Sequence, residues 1–93
     1  MILTHLTIYQ MKYIKERDLI ELGFEKCYDS EDGDKFYYYI LNIGDNMSLI
    51  TNTDDECYDD CWLVEVFDYS DIRFNSLKKL KRLVKLLKSG LNA

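Results

Sequence analysis

The sequence predicts a two-layer α+β fold, in which an antiparallel sheet of three to five strands carries helices on one face. Short runs of aromatic and β-branched residues, separated by turn signals, fill residues 24–69. After them comes a segment that repeats leucine at helical spacing, and before them lies a shorter helical pattern. The chain has 93 residues and no proline. We therefore expect a single domain, residues 1–93, of uninterrupted strands and helices.

The N-terminal part predicts a strand and then a helix. Residues 2–9 alternate apolar and polar side chains, which favours an edge strand. A loose extension over residues 1–10 is the alternative, since Met11 offers a second start. Residues 12–22 predict the N-terminal helix, with Gly23 just beyond its end. Asp18 and Glu21 could form a local capping box, which would suit a short helix that starts at Asp18.

Four further runs predict the strands of a meander. They cover residues 24–28, 35–43, 47–51 and 61–69. Asp32-Gly33 and Gly44-Asp45-Asn46 are turn sequences, so the strands on either side of each should run antiparallel. The run KFYYYILNI at 35–43 is apolar on both faces, as expected of a central strand. We expect its rings to form sheet core and cross-strand pairs rather than a platform for stacking nucleobases.

The C-terminal segment predicts an amphipathic helix over residues 76–89. Asn75 or Ser76 can cap its start, and Gly90 can end it. The apolar stripe predicted to cover the sheet consists of Leu77, Leu80, Leu83, Val84, Leu87 and Leu91. The basic residues predicted on the opposite side are Lys78, Lys81, Arg82, Lys85 and Lys88.

Charge is divided sharply along the chain. The net charge is −5, yet all 17 acidic residues and only five of the 12 basic residues lie in residues 1–72. Residues 73–93 hold the remaining basic residues and no acid. Such unequal segments indicate an interaction surface or a self-pairing element.

Two acidic clusters are the candidate partner-binding surface. The first covers residues 29–34. The second lies in DDECYDDCW, residues 54–62, which we interpret as a loop with outward carboxylates that leads into a strand with a buried Trp62. The candidate residues are Asp29, Glu31, Asp32, Asp34, Asp54, Asp55, Glu56, Asp59 and Asp60. Carboxylates at this density can steer association with a basic partner.

The sequence argues against a metal site, a cofactor and catalysis. Cys57 and Cys61 form one loose pair, with only Cys27 and His5 to complete it, whereas structural zinc usually has two tight pairs of ligands. Nothing ties His5 to a nucleophile, and no glycine-rich phosphate loop is present. We therefore expect no metal ligands, no cofactor, no catalytic residues and no enzyme.

Localisation and the remaining partner classes follow from composition. Few cysteines, odd in number, favour a reducing, cytoplasmic compartment. No apolar run approaches the ~20 residues that span a bilayer, so we expect no membrane partner. The basic helix can lie along phosphates, but the acidic body would repel a polyanion on contact, which argues against nucleic acid.

The segments LIELGFEK, KFYYYILNIGDNMSLI and WLVEVFDYSDIRFNSLKKLKRLVKLL resemble small, acidic, tyrosine-rich proteins of bacteriophages and mobile elements. This resemblance covers most of residues 16–88. Proteins of this class include inhibitors of the anti-CRISPR kind. The resemblance therefore implies binding without catalysis to a bacterial defence complex, in the host cytoplasm if the chain is phage-encoded. No functional residue follows from the resemblance, because the class shares no motif.

Three functional hypotheses follow. The first is a non-enzymatic inhibitor whose acidic surface blocks a basic, nucleic-acid-binding surface of a bacterial defence protein. The alternative is a self-associating structural or regulatory protein, a homodimer in which the basic helix pairs with an acidic surface of a second copy. The third is a nucleic-acid binder that uses the basic helix. The sequence does not identify the protein partner or the host.

Overall fold

The computed structural model describes residues 12–31 and 34–91, so the predicted strand at 2–9 lies outside the described residues. Five strands form one antiparallel meander in the order β1-β2-β3-β4-β5. The elements are α1 (Glu16–Glu21), β1 (Glu25–Glu31), β2 (Asp34–Ile43), β3 (Met47–Thr51), β4 (Val64–Val66), β5 (Tyr69–Phe74) and α2 (Leu77–Gly90). The predicted α+β fold is therefore confirmed.

β2 and β3 lie where the sequence predicts them, whereas β1 runs to Glu31, three residues beyond its predicted end. β1 and β2 pair from Glu25 opposite Ile40 to Glu31 opposite Asp34. β2 and β3 pair across the predicted turn at residues 44–46, in which Gly44 has a φ of 66°. Only glycine adopts that conformation without steric cost, which is why the turn falls there.

The prediction of one strand over 61–69 is wrong. β4 holds only Val64–Val66, the chain turns at Phe67 and Asp68, and the unpredicted strand β5 returns beside β4. Asp68 has a φ of 70°, a left-handed conformation that aspartate tolerates better than most residues. The turn therefore forms without the Gly or Asn that would have revealed it.

The predicted helix over 12–22 is wrong in its first turn. Residues 12–15 are extended, because the Lys12 carbonyl accepts from the Leu77 amide at 3.0 Å and the Ile14 carbonyl from the Trp62 amide at 2.8 Å. The helix α1 begins at Glu16 instead. Asp18 does take part in its capping, but its carboxylate accepts from the Lys15 amide at 2.9 Å and Glu21 plays no part.

The end of α1 agrees with the sequence. Gly23 has a φ of 97°, and the Phe24 amide donates to the Leu19 carbonyl at 3.0 Å. That bond and the left-handed glycine are the features of a Schellman motif.

α2 covers the sheet with the predicted stripe, except at its end. Ser76 is the N-cap, and its Oγ accepts from the Lys79 amide at 3.4 Å. The helix includes Gly90 rather than stopping before it. Leu91 is 53% exposed, so the prediction that it belongs to the buried stripe is wrong.

The core lies between the two helices and one face of the sheet. Its buried residues are Ile14, Leu19, Phe24, Tyr39, Leu41, Ile43, Leu49, Trp62, Val64, Val66, Leu77, Leu80 and Val84. Residues of both helices belong to it, as the sequence predicts. On the opposite face Tyr38, Ile40 and Ile50 are half-buried and lie outside this cluster. Among the described residues, no helix has the length and apolarity needed to cross a membrane.

Candidate protein-binding site

The acidic loop, residues 54–60, connects β3 to β4 and begins with a 3₁₀ turn, Asp54–Glu56. Its start is held by Thr53, whose amide donates to Glu56 Oε1 at 3.2 Å and whose hydroxyl donates to the same oxygen at 3.0 Å. A side chain at the third position that accepts from the capping residue's amide is the reciprocal half of a capping box. The loop is therefore locally ordered.

Asp54 attaches the loop to the sheet. β3 pairs with only the last four residues of β2, Ile40 to Ile43. Beyond that point Thr51 Oγ1 accepts from the Tyr39 amide and Asp54 Oδ1 from the Tyr37 amide, both at 2.9 Å. Two side chains thus take over the hydrogen bonds that a longer β3 would have made.

Asp60 attaches the loop to α1. Its Oδ1 accepts from the Glu16 amide at 2.9 Å and from the Trp62 indole Nε1 at 2.8 Å. Asp59 and Asp60 have φ values of 52° and 57°, and the Cys61 amide donates to the Tyr58 carbonyl at 3.0 Å. This is the pattern of a type I′ turn.

The interpretation of the loop as fully outward carboxylates is therefore wrong for Asp54, which is half-buried, whereas Asp60 is exposed although its Oδ1 accepts two hydrogen bonds. Their charges satisfy backbone and indole donors, which a sequence-level count of acids does not reveal. Trp62 is buried, as predicted. The exposed side chains of the loop that make no hydrogen bond to another element are Asp55, Glu56 and Asp59, together with Tyr58, which is 85% exposed.

The first acidic cluster lies on the β1–β2 hairpin. Asp29 is exposed and opposes Phe36, which places it on the sheet face away from the helices. Glu31 and Asp34 pair with each other at the end of the β1–β2 hairpin, and Asp32 lies outside the described residues. Asp34 lies three residues before Tyr37 on β2, which is about 10 Å along a strand. The Tyr37 amide is the one that donates to Asp54.

Glu16 joins the acidic loop, although the sequence did not indicate it. Its Oε2 accepts from the Tyr39 hydroxyl at 2.6 Å, and its amide donates to Asp60. Burial, followed by that hydrogen bond and the charge of Glu16, raises the pKa of Tyr39 above its usual range. Burial and the charges of Glu16, Asp54 and Asp60 likewise raise the pKa of Tyr37. No local pattern points to this contact, because it joins residues far apart in the chain.

The aromatic run of β2 forms core and cross-strand pairs, as predicted. Tyr28 and Tyr37 face each other across the strands with ring centroids 6.2 Å apart, and Tyr39 stacks edge-on to Trp62 at 5.4 Å. The ammonium of Lys26 lies 3.9 Å from the centroid of the Tyr37 ring, within cation–π range. The Tyr37 amide and the Trp62 indole of this cluster donate to Asp54 and Asp60 of the loop.

The three cysteines are unpaired and half-buried. The Cys57 thiol donates to the Thr53 carbonyl at 3.5 Å, and burial together with the charges of Asp54 and Glu56 raises its pKa to about 11. A raised pKa disfavours the thiolate that metals and electrophiles require. In residues 12–31 and 34–91 no group of three or more His, Cys, Asp or Glu side chains is placed to hold a metal. His5 lies outside the described residues.

The predicted basic residues line the exposed side of α2. Lys78, Lys81, Arg82, Lys85 and Lys88 are all exposed. Over the part of the chain that the structure describes, the one ion pair joins Arg73 to Glu65 at 3.4 Å. The helix charges are thus not compensated by direct contact with described carboxylates.

Comparisons of the chain with protein-family models, curated proteins and solved structures find no match.

Proposed function

We propose that this chain is a non-enzymatic protein-binding module whose acidic loop docks on a basic surface of a partner. The partner proposed is a bacterial defence protein of the CRISPR–Cas kind, and the docked surface is the one that binds nucleic acid. Action in the host cytoplasm is part of the proposal. The observation that carries it is the rigid presentation of Asp55, Glu56, Asp59 and Tyr58 on a loop held at both ends.

Rigidity favours this use of the loop. Asp54 attaches its first residue to β2, and Asp60 attaches its last to α1. A surface ordered before binding loses less conformational entropy when a partner docks.

Tyr58 supports a protein partner. It lies in the middle of the loop and is 85% exposed, while the acids beside it remain in water. Tyrosine is enriched among the residues that dominate binding energy at protein interfaces, and charged residues form the rim around them. An exposed ring surrounded by carboxylates therefore suits a basic partner with an apolar pocket.

The test begins with affinity capture from a bacterial lysate and purification of a retained protein. Its association with the chain is then measured for the wild type and for a triple variant, Asp55→Asn, Glu56→Gln and Asp59→Asn. This variant leaves Asp54 and Asp60, which hold the fold, in place. We expect slower association at low salt, although single exposed contacts contribute only ~0–1 kcal/mol each.

A matched control removes the same charge elsewhere. Asp45→Asn, Asp68→Asn and Asp71→Asn change three exposed acids outside the acidic loop. Equal slowing in the two triple variants would contradict a specific role for the loop. The chain should also displace labelled nucleic acid from the purified partner, and failure to do so would contradict the inhibitory part of the proposal.

Self-association is a second candidate, favoured by the uncompensated charges of α2. Lys78 lies in the first turn, where a cation opposes the helix dipole at a cost of ~0.3–1 kcal/mol. An acidic surface of a second copy would offset that cost. Sedimentation at low and high salt tests self-association. We expect a dimer that dissociates as salt rises, and we expect Lys78→Gln with Lys85→Gln to abolish that dimer. A monomer at every salt concentration would contradict it.

A further inference from the structure

A basic cavity lies between residues 12–17 and the first two turns of α2. The larger part has a volume of about 450 Å³ and is lined by Lys12, Tyr13, Lys15, Arg17, Asp18, Cys61, Leu77 and Lys81. Adjoining spaces of about 220 and 30 Å³ share Lys12 with it, and the first of them adds Lys78. Sequence analysis assigned residues 12–15 to a helix and therefore did not indicate this cavity.

The walls of the cavity are held by backbone bonds. The Leu77 amide donates to the Lys12 carbonyl at 3.0 Å, and Tyr13 pairs with Ser76 as an isolated antiparallel bridge. The Trp62 amide bonds the next residue, Ile14. These bonds fix residues 12–14 against Trp62 and the start of α2, so the backbone that lines the cavity is in place before any ligand enters.

The lining favours an anion. Around the larger part stand four cationic side chains and one carboxylate, and that carboxylate, Asp18, already accepts from the Lys15 amide at 2.9 Å. None of these cations forms an ion pair with a carboxylate that the structure describes. A neighbouring concavity of about 510 Å³ shares Lys15 and Arg17 with the larger part, but it is also lined by the carboxylates of Glu16 and Asp60.

Size and shape narrow the ligand class. A volume of 450 Å³ lies in the range of small-molecule sites. Tyr13 lines two of the three spaces and is 50% exposed, which leaves part of its ring available to a flat partner. Bases stack on aromatic side chains, and ammonium and guanidinium groups bind phosphate oxygens.

We propose that this cavity binds a nucleoside phosphate. The phosphates contact Lys12, Arg17 and Lys81, and the base stacks on Tyr13. Lys15 and Lys78 add positive charge at the margin. The site is independent of the acidic loop. It shares Lys78 and Lys81 with the basic side of α2, but Arg82, Lys85 and Lys88 do not line it.

The test is a titration of the full chain with ATP by calorimetry, with adenosine, AMP, tripolyphosphate and a six-nucleotide DNA as comparators. We expect affinity to rise from adenosine through AMP to ATP and to fall with salt. Lys12→Gln with Lys81→Gln should weaken ATP binding at least about tenfold, as expected when charge-assisted contacts are lost. Tyr13→Leu should weaken ATP but leave tripolyphosphate unchanged.

The matched control is Lys85→Gln with Lys88→Gln, which removes the same number of positive charges from α2, outside the cavity. Equal loss of ATP binding in the two double variants would overturn the proposal, as would equal competition by polyglutamate. Binding of the oligonucleotide without binding of ATP would assign the surface to nucleic acid and would also overturn the proposal. The triple variant of the acidic loop should bind ATP like the wild type, so failure of one proposal leaves the other standing.

Discussion

Asp60 joins three parts of the chain through one oxygen. It accepts from the first amide of α1 and from the Trp62 indole while its own backbone is left-handed. A buried indole N–H without an acceptor carries a desolvation cost, and Asp60 removes it. This explains why the loop tolerates two adjacent aspartates at positive φ, where each conformation costs of order 1 kcal/mol or more.

Asp60→Ala is expected to destabilise the protein by ~1–3 kcal/mol more than Asp59→Ala. Both substitutions place alanine at nearly the same positive φ, 57° and 52°, so their shared backbone cost cancels in the difference. What remains is the loss of the two hydrogen bonds that only Asp60 accepts. Urea unfolding of the two variants measures the difference, and equal midpoints with equal slopes would contradict the structural role of Asp60.

At the scale of elements, the edge of β2 beyond β3 depends on side chains. Thr51 is buried, accepts from the Tyr39 amide and donates to the Asn52 carbonyl at 2.8 Å. Its hydroxyl therefore fills a place in the ladder that a backbone carbonyl usually holds. Asp54 repeats this two residues along β2.

Thr51→Val is expected to cost ~1–3 kcal/mol, because it keeps the shape of the side chain but leaves the buried Tyr39 amide without an acceptor. Thr51→Ser keeps the hydroxyl and should lose clearly less. Thermal melting of both variants checks the order. A valine variant as stable as the serine variant would show that the hydroxyl does not support the strand.

The helix α2 is attached through the side that faces the sheet. Leu80 is fully buried in the core, whereas Leu86, on the same helix, is 70% exposed. Leu80→Ala should therefore destabilise the protein by ~2–5 kcal/mol, since it removes buried methyl groups and leaves a cavity. Leu86→Ala is the control and should change stability by less than ~0.5 kcal/mol. Equal chemical-unfolding midpoints would contradict the packing of α2.

At the scale of the whole molecule, opposite charges occupy different surfaces. The acidic loop and Glu16 lie at the edge of β2 and the start of α1. The cations of α2 lie on the exposed side of α2, away from its apolar stripe. Since α2 lies over the sheet with its apolar stripe, its cations must face outward. The fold thus separates two charged surfaces that the sequence shows only as unequal segments.

Stability should fall at alkaline pH. The pKa of Cys57 is about 11 in the fold against an ordinary 9.0, and that of Tyr39 is raised above an ordinary 10.0. The fold favours both protonated forms, so their contribution is complete below pH 9 and is lost as the unfolded groups ionise. We expect Tm to decline from pH 9 upward, and less steeply between pH 9 and 11 in Cys57→Ser. A Tm that stays constant from pH 8 to 11 would contradict it.

The sequence by itself determined the features that depend on neighbours along the chain. The Gly44 turn and β2, the Schellman end at Gly23, the Ser76 cap and the leucine stripe through Val84 all follow from turn chemistry and periodicity. The break between β4 and β5 is also local, but Asp68 enters the left-handed region without a glycine to indicate it.

Only the tertiary structure decided which charged residues have partners. Asp60 and Glu16 are 44 residues apart and Asp54 and Tyr37 are 17 apart, so no sequence window contains either pair. The same holds for the basic cavity, in which Lys12 meets Lys81. Residues 12–15 are extended rather than helical, because the Trp62 and Leu77 amides donate to carbonyls of this segment. Contacts between elements override local propensity there, since a buried backbone group must be satisfied wherever its partner lies in the chain.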